Sequence, residues 1–512
     1  MERITVGLDF GTHQTKICIE NKSDARNPIY SFFAFSDLDG NKSVILPSIV
    51  QINKDNTLSY GFVDKSKAKY GKKFFIGGMP EYPKRREIKV VESIPEPRVP
   101  SIFSAQPPKE ENELLRFTQK LEKAKKSYDT QIALWKQKIE AQKKKTERLV
   151  IELEEAYQNE IKEWYRWQNT SQINHRMIYR YFKQSTFSDY KWNCQLSSTY
   201  LTVWYLSYII FLLENKYGQN FAIQMGIPTG SENFDIKKKK AVSLLLSAYH
   251  LVEEVFQNDL EKFLSTPIQE LEKLTTFIPY SEEKKTEYGL LIFPEAYAGL
   301  KSLTNQRKIE KGMNLMVDIG GGTTDITFFT IENESPIVYD YSSIPFGINY
   351  ISETAQPNIR DKFEANINLN KIGTKELNNA IKRYYGNLSK ACDGLIRKLH
   401  KSFERTGFPM SRLEDALKNR IIIYSGGGST YEQLRREILT FSDVKHVNTK
   451  IWEGMTIDEI SSYSSLCPIL STSLGLSISE VNDNVKLSTT EKIFSHLEGQ
   501  YIIEEKPRPK WV

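Results

Sequence analysis

Residues 315–325 contain two features that can do chemistry together, a carboxylate and a turn built of glycines. The apolar run Leu315–Val317 is typical of a buried strand, Asp318 ends it, and Gly320–Gly322 follow as a tight turn. Such a turn presents backbone N–H groups to phosphate oxygens, and a carboxylate at a strand tip can hold a hydrated Mg²⁺. The stretch therefore predicts a site for a phosphate-bearing ligand and its metal ion.

The same order of strand, acid, glycine and hydroxyl occurs at the N-terminus. Residues 4–8 alternate between apolar and polar side chains, which predicts a strand that ends at Asp9. Gly11 and Thr12 then form the turn, and Ile17 begins a return strand. The chain thus carries two candidate phosphate turns, each with an acid at its entrance.

A third glycine turn lies further along the chain and has no acid before it. The apolar run Ile421–Ile423 predicts a strand, and a helix is predicted to begin near Tyr431. A nucleotide's sugar or α-phosphate could approach the backbone and the helix N-terminus closely at this turn. The turn consists of Gly426, Gly427, Gly428 and Ser429.

These three turns, in this order, resemble the phosphate-1, phosphate-2 and adenosine motifs of one ATPase superfamily. That superfamily contains actin, the hexokinase-type sugar kinases and the seventy-kilodalton heat-shock chaperones, and the chain looks most similar to the chaperones' nucleotide-binding domain. The resemblance implies an α/β fold of two lobes, which are duplicated ribonuclease-H-like domains, with ATP and Mg²⁺ bound between them.

The resemblance also implies a role for each residue of the site. Asp9 and Asp318 would hold the Mg²⁺ through water, and Asp325 with Thr323 would orient the attacking water. Lys16 would be the cation near the γ-phosphate, with Lys72 or Lys73 as the alternatives that match the chaperones. The phosphates would be cradled by Gly11, Thr12, Gly320, Gly321, Gly322 and Thr323.

Two positions depart from the chaperone pattern. The chaperones usually carry Thr where this chain has His13, and Glu before the connecting proline where this chain has Phe293. Glu295 is displaced to the other side of that proline. We expect these changes to slow ATP hydrolysis, which suits a switch better than a metabolic enzyme.

The resemblance covers residues 1–105 and 195–485 and predicts the elements that position the site. Residues 294–299 and 470–476 are rich in small side chains and resemble the two helices that cross the hinge between the lobes. Small residues let such helices pack closely, and shear between them opens or closes the cleft. A buried helix rather than a membrane span is predicted for residues 192–213.

We expect two lobes and a tail. Lobe I would span residues 1–300, with its core in 1–40 and 195–300, an outer subdomain in 41–109 and a helical insert in 110–190. Lobe II would span 311–490, with its core in 311–359 and 419–490 and an outer helical subdomain in 360–418. Residues 491–512 would form the C-terminal tail, and a helix-like piece is predicted at 490–497.

Composition limits the other possibilities. The 512 residues are too many for one core, and 70 basic against 64 acidic side chains give a net charge of only +6, which makes no case for nucleic acid. The four cysteines are too far apart for a metal or redox motif. The N-terminus lacks a signal-peptide pattern. We therefore expect a cytoplasmic protein that binds neither nucleic acid nor membrane.

The insert has an unusual composition. No glycine or proline occurs between Pro108 and Gly218, which predicts sustained helix. Mostly apolar residues repeat at alternating steps of three and four between Leu114 and Leu153, which predicts a coiled-coil seam on one helix of residues 110–167. Gln142 and Thr146 are polar positions within this seam. This helix could fold back on residues 172–217, pair with a second copy of the chain or bind a protein partner, and the sequence does not separate these three.

Three classes of function follow. The first is an ATP-driven conformational switch, in which closure of the lobes moves the helical insert and a bound protein partner. The sequence up to Val512 shows no segment that resembles the chaperones' substrate-binding domain, so we expect the insert to provide the output. The second is an actin-like filament former. The third is a small-molecule kinase, which would need a catalytic base aimed at a substrate hydroxyl, and no motif for one is evident. We favour the switch.

Overall fold

The structure is a computed structural model, and its contacts divide the chain into one unit of residues 1–79 and 170–512 and a second unit of residues 80–169. The residues that it describes are 4–23, 27–69, 94–171, 177–187, 196–228, 234–303, 313–332, 335–356, 368–406, 411, 417–418, 420–447, 452, 455–483 and 485.

The described strands fall into two main sheets and two small ones. They are β1 Ile4–Phe10, β2 Gln14–Asn21, β3 Ile29–Phe32, β4 Phe35–Ser36, β5 Lys42–Ser43, β6 Leu46–Pro47, β7 Val50–Ile52, β8 Leu58–Tyr60, β9 Ile178–Tyr179, β10 Phe221–Ile227, β11 Leu290–Pro294, β12 Asn314–Ile319, β13 Thr324–Glu332, β14 Ser335–Ile344, β15 Ile421–Ser425, β16 Asp443–His446 and β17 Thr456–Ile457.

Helices lie between these strands. They are α1 Glu111–Ser171, α2 Phe182–Phe187, α3 Ser198–Tyr217, α4 Phe234–Tyr249, α5 Leu260–Ser265, α6 Ile268–Leu274, α7 Glu282–Glu287, α8 Glu295–Lys301, α9 Ile348–Ala355, α10 Thr374–Thr406 and α11 Cys467–Ser477, with a π-helical turn at His250–Val255 after α4.

The two main sheets repeat one topology. In the first, the order β3-β2-β1-β10-β11 combines an antiparallel meander with two strands that run parallel to β1. In the second, the order β14-β13-β12-β15-β16 has the same directions around β12. The α/β prediction is confirmed, and β1 and β12 occupy equivalent central places in their sheets.

Central strands of this kind are covered on both faces, which explains their apolar sequences. Val6 and Leu8 in β1 and Leu315 and Val317 in β12 are fully buried. Helices α3 and α4 cover the first sheet, and α10 packs beside the second with a buried stripe along one side. The stripe consists of Leu377, Ile381, Tyr384, Leu388, Leu395 and Leu399.

Helix α3 contains most of the apolar window 192–213, which was predicted to form a buried helix rather than a membrane span. Its residues Leu201, Trp204 and Leu206 are buried in the core of the first sheet. In the described part of the chain, no helix is both long and apolar enough to cross a membrane. The prediction of a buried helix is confirmed.

Helices α8 and α11 pack against each other through small residues, as predicted for the hinge. A Cβ added at Gly475 of α11 would overlap the carbonyl oxygen of Ala298 in α8. A Cβ at Gly299 would lie 2.8 Å from Cε of Met316 in β12. The two helices therefore approach as closely as their backbones permit, directly behind the strand that ends at Asp318.

Gly475→Ala is expected to lower the free energy of unfolding by about 3 kcal/mol, because the new methyl group meets backbone that cannot move aside cheaply. Gly386→Ala is the matched control, since α10 leaves open space around Gly386. The control should gain up to about 1 kcal/mol from helix propensity. Urea unfolding of both variants measures the difference, and a loss at Gly475 no larger than the effect at Gly386 would contradict the close packing.

The predicted long helix is present as α1, which has 61 residues. Part of its apolar seam contacts the chain that precedes it. The Tyr128 ring packs edge-on against Phe103, and Trp135 Nε1 donates a hydrogen bond to the carbonyl oxygen of Ile94 at 3.1 Å. The helix prediction holds, whereas the coiled-coil pairing stays a prediction.

One local prediction is wrong. Instead of a helix from Tyr431, the third glycine turn continues into two short 3₁₀ turns, Gly427–Thr430 and Glu432–Leu434. The strand β15 that feeds the turn is present. The alternative cations Lys72 and Lys73 and the helix-like piece at 490–497 lie outside the described residues.

Candidate functional site

Asp9 and Asp318, at the ends of the equivalent strands β1 and β12, line one crevice of about 500 Å³. Twelve of the fourteen residues predicted for the site line it. They are Asp9, Gly11, Thr12, Lys16, Asp318, Gly320, Gly321, Gly322, Thr323, Asp325, Gly426 and Gly427.

The first glycine turn is held by Ser48, which precedes β7. Ser48 Oγ donates to the carbonyl oxygen of Gly11 at 2.7 Å, and its backbone N–H donates to the carbonyl oxygen of His13 at 2.9 Å. Since the C=O and N–H of a trans peptide point in opposite directions, the N–H of Thr12 points away from Ser48. The turn is thus fixed with its carbonyl side toward the body of the protein.

The second glycine turn is held in the same way by the first turn of α9. The backbone N–H groups of Ile348 and Asn349 donate to the carbonyl oxygens of Gly320 and Gly321, at 3.1 and 2.9 Å. By the same peptide geometry, the N–H groups that follow these carbonyls point away from α9. Both turns can therefore offer backbone donors to an anion.

The third glycine turn packs directly onto the tip of β12. Gly426 has φ +79°, and a Cβ there would overlap Oδ1 of Asp318. Only glycine fits this position, because the backbone lies in the left-handed region with no space beside it. Gly428 packs on Ile319 behind the crevice, and Ser429 is buried, with its Oγ donating to the carbonyl oxygen of Gly426 at 2.8 Å.

The carboxylates of the second sheet carry perturbed acidities. Burial, with Asp325 and Asp9 as like-charged neighbours, raises the pKa of Asp318 to about 8. Burial and the nearby Glu295 raise the pKa of Asp325 to about 6. Asp318 and Asp325 face each other across β12 and β13, so the crevice concentrates negative charge at one point.

Two lysines oppose this charge. Lys16, in β2, lies opposite Asp9 of β1, with its Nζ 2.6 Å from Oδ2 of Asp9. Lys183, in α2, is almost fully buried and forms an ion pair with Glu295. The positive charge of Lys183 also lowers the pKa of Asp325, which limits the rise caused by burial and Glu295. The cation at Lys183 was not anticipated from the sequence.

Glu295 lines the crevice although it follows Pro294 rather than preceding it. It is the first residue of α8, so its carboxylate extends from the start of the hinge helix. Phe293, at the position where the chaperones carry an acid, is buried and stacks on Tyr297 with 5.9 Å between ring centroids. The displaced acid therefore still reaches the crevice.

A hydrogen-bonded group crosses the crevice at His13. The His13 Nε2 contacts the side-chain amide of Asn349 in α9 and lies 3.2 Å from the hydroxyl of Tyr181. The Asn349 amide also donates to that hydroxyl at 3.0 Å. Burial, helped by the positive charges of Arg180 and Lys16, lowers the pKa of His13 to about 3, so the imidazole is neutral.

The donor set fits a phosphate ligand with a hydrated Mg²⁺. In the described residues, no three acidic, histidine or cysteine side chains are close enough to enclose a metal. Mg²⁺ usually keeps several waters and needs only one or two carboxylates, which Asp9 and Asp318 supply. The buried Nδ1 of His13 has no hydrogen-bond partner in the same residues, so a polar ligand would satisfy it.

The segment 180–183 is the part of the site that sequence reasoning missed. Arg180 lines the crevice, and Tyr181 and Lys183 make the contacts described above. The segment is placed by the pairing of β9 with β7, which brings residue 179 opposite residue 50. Strand β9 has only two residues, which is too short to show a periodic pattern in the sequence.

Comparison with known proteins adds little to this geometry. No known protein-family profile matches the sequence, and no curated protein matches it. The chain is similar to the crystal structure of MreB5 of Spiroplasma citri bound to ADP, with 11% identity over 98% of this chain and 99% of that chain and a TM-score of 0.37. Because a TM-score below 0.5 does not establish a shared fold, the fold class rests on the strand order and register.

Proposed function

We propose that the chain binds ATP with Mg²⁺ in the crevice between its two sheets, as an ATPase of the actin-like superfamily. One observation carries the proposal: Asp9 and Asp318, 309 positions apart, end equivalent strands of two sheets with the same topology and line a single crevice. A repeated carboxylate on two facing turns suits a metal-bound polyphosphate lying between them.

Each turn has a defined part in binding. The backbone donors of the two phosphate turns, with the hydroxyls of Thr12 and Thr323, contact the phosphate oxygens. Lys16 would be the cation for the γ-phosphate, and Asp9, with which it now pairs, would be one of the two carboxylates that hold the metal ion. Gly426 and Gly427 allow the nucleotide to approach the backbone of the third turn.

Bound Mg²⁺ supplies neutralisation of the charge on the phosphates. Asp325 is placed at the crevice wall to accept a hydrogen bond from water, and Glu295 lies close enough to raise its pKa. Lys183 balances Glu295. Positioning and charge stabilisation account for catalysis of this kind, with little covalent work for the protein.

A conformational switch of the heat-shock-chaperone type is the form of activity that we favour. The hinge helices α8 and α11 pack through glycine and other small residues, which permits shear. Arg180, which lines the crevice, follows closely in the sequence after the end of α1 at Ser171. We propose that nucleotide-dependent movement reaches a protein partner through the insert, residues 110–190.

The proposal is tested by measuring the affinity for a fluorescent ATP analogue with and without Mg²⁺. Lys16→Ala is expected to weaken Mg-ATP binding roughly tenfold, because one charge-assisted contact to phosphate is lost. Lys445→Ala is the matched control, since Lys445 pairs with Asp443 on an exposed edge strand. Binding that ignores both Mg²⁺ and Lys16 would overturn the proposed site. ATP-dependent pelleting of the wild type would instead indicate a filament former.

His13→Ala is expected to release nucleotide roughly tenfold faster, because it removes the neutral side chain that joins the first turn to Asn349 across the crevice. Tyr181→Phe is the matched comparison. It removes one hydroxyl but leaves the His13–Asn349 contact, so its effect should be smaller. Stopped-flow release of a fluorescent ADP analogue measures both, and equal rates in wild type and His13→Ala would show that this contact does not restrain opening.

The partner is tested by a pull-down that compares the full chain with one in which residues 112–168 are replaced by a flexible linker. The replacement keeps residues 177–187, because removal of the whole predicted insert would also remove Arg180 from the crevice and Lys183 from its ion pair with Glu295. Retained Mg-ATP binding in the shortened chain is the control. A protein captured by both forms would show that the insert is not its binding site.

A further inference from the structure

Basic and acidic side chains are concentrated in different parts of α1, which the overall composition does not show. Residues 136–148 carry six basic and two acidic side chains, whereas residues 149–161 carry four acidic and none basic. Two consecutive stretches of thirteen residues therefore have net charges of +4 and −4. The whole helix is nearly neutral, but each of these two stretches is strongly charged. We call residues 136–148 the basic half and residues 149–161 the acidic half of the segment 136–161.

The same part of α1 leaves apolar side chains exposed. Ile139, Leu149, Val150 and Ile151 are between 37% and 58% exposed. An exposed apolar group within a charged helix is typical of an interaction surface. The seam nearer the N-terminus differs, because Tyr128 and Trp135 already contact the chain that precedes the helix.

We propose that residues 136–161 of α1 pair with the same residues of a second copy of the chain, in antiparallel orientation about a two-fold axis near Arg148. In a parallel, in-register pair, each charged half would face its like. In an antiparallel pair, the half with +4 faces the half with −4 in both places. This self-complementarity identifies a second copy as the occupant, since the helix carries its own matching partner surface.

The apolar seam agrees with that axis. An antiparallel pair centred between Glu147 and Arg148 places Ile139 opposite Ala156 of the second copy, and Gln142 opposite Leu153. The paired segment is about 39 Å long, or nearly four heptads, which is the length at which a coiled-coil pattern becomes meaningful. Gln142 and Thr146 lie in the seam, and polar residues there fix register at a cost in stability. The pairing is therefore reversible and depends on concentration.

The orientation is tested by cysteine cross-linking in the full chain, in a background with Cys194→Ser. The described cysteines Cys18, Cys392 and Cys467 are buried and do not interfere. Ile139→Cys and Ala156→Cys chains, oxidised separately, should each stay uncrosslinked, and an equal mixture should give a disulfide-linked dimer. Dimers of Ile139→Cys alone would indicate a parallel pair and overturn the proposal.

Charge reversal provides the second test, read by analytical ultracentrifugation. The first variant reverses the acidic half by changing four residues to Lys: Glu152, Glu154, Glu155 and Glu160. Its association should be weaker by a factor of roughly ten or more, because both halves are then basic. A chain with Lys136, Lys138, Lys143, Lys144 and Lys145 changed to Glu should do the same. Mixing the two should restore association, and added salt should weaken the wild-type dimer.

Circular dichroism shows whether the variants keep their helix, so that loss of pairing is not confused with loss of structure. The proposal is overturned by a wild-type chain that is monomeric at every concentration, or by a dimer that both charge reversals leave unchanged. The inference does not depend on the proposed function, because it uses only α1 and no part of the crevice.

Discussion

Asp318→Asn is expected to abolish Mg²⁺-dependent ATP binding while it stabilises the nucleotide-free protein. Asn cannot supply the second carboxylate for the metal, so affinity should fall by roughly 100-fold or more. The stabilising effect comes from the acid's raised pKa, about 8 in the folded chain against an ordinary 3.8. The stability that this protonated carboxyl group contributes is fully present below pH 4. It is lost as the pH rises toward 8, because the group ionises more easily in the unfolded chain. Asn does not ionise, so the variant does not lose this stability as the pH rises.

The gain at neutral pH should be a few kcal/mol, reduced from the full value because the side chain is only partly buried. Melting temperatures of wild type and variant from pH 4 to pH 8 measure it, and the two curves should converge at the acid end. Asp340→Asn is the matched control, because Asp340 pairs with Lys398 outside the crevice. An Asp318→Asn chain that binds Mg-ATP normally, or that is less stable at neutral pH, would contradict the assignment.

Lys183→Met is expected to have the second large effect, with loss of both stability and turnover. The lysine is almost fully buried and pairs with Glu295, which lines the crevice together with Asp9, Asp318 and Asp325. Its removal leaves an unpaired carboxylate beside other acids, at a cost of about 3 kcal/mol. Loss of the buried positive charge that pairs with Glu295 should also lower ATP turnover roughly 100-fold.

A double variant separates the two effects. Lys183→Met with Glu295→Gln should recover most of the stability, because no unpaired charge is left, but it should not recover turnover. Lys285→Met is the matched control, since Lys285 is similarly buried and pairs with Asp483 away from the crevice. It should lose stability alone. Turnover that returns in the double variant would show that Lys183 only balances Glu295.

The strand tips and turns could be predicted because they depend on local sequence. An apolar strand, an acid and glycines define the tips at Asp9 and Asp318 whatever surrounds them, and both are found where the sequence placed them. The hinge packing followed from small residues at Gly299 and Gly475. Long helices without glycine or proline were equally visible, as in α1.

Features set by tertiary contacts were not visible in the sequence. Tyr181 and Lys183 contact His13 and Glu295 of the crevice. Both are placed by the two-residue pairing of β9 with β7, which lies more than a hundred residues away along the chain. The third turn was predicted to start a helix, but Gly426 has φ +79° and packs on Asp318, and short 3₁₀ turns follow. The close approach to β12, rather than helix propensity, decides its conformation.

The insert shows both sides of this limit. Its periodicity predicted a helix and a seam, and the helix is present. Periodicity could not show that Tyr128 and Trp135 of the seam contact the preceding chain. It also could not choose among folding back, self-pairing and partner binding, because all three use the same apolar stripe. Charge order along the helix supplies the distinction on which our second proposal depends.

The most direct measurement is anomalous diffraction from crystals grown with Mn²⁺ in place of Mg²⁺ and a non-hydrolysable ATP analogue. The account predicts one Mn²⁺ in the crevice, within reach of both Asp9 and Asp318 through water, with a single nucleotide's phosphates between the two glycine turns. A metal ion that only one of these carboxylates approaches, or a nucleotide bound outside the crevice, would contradict it.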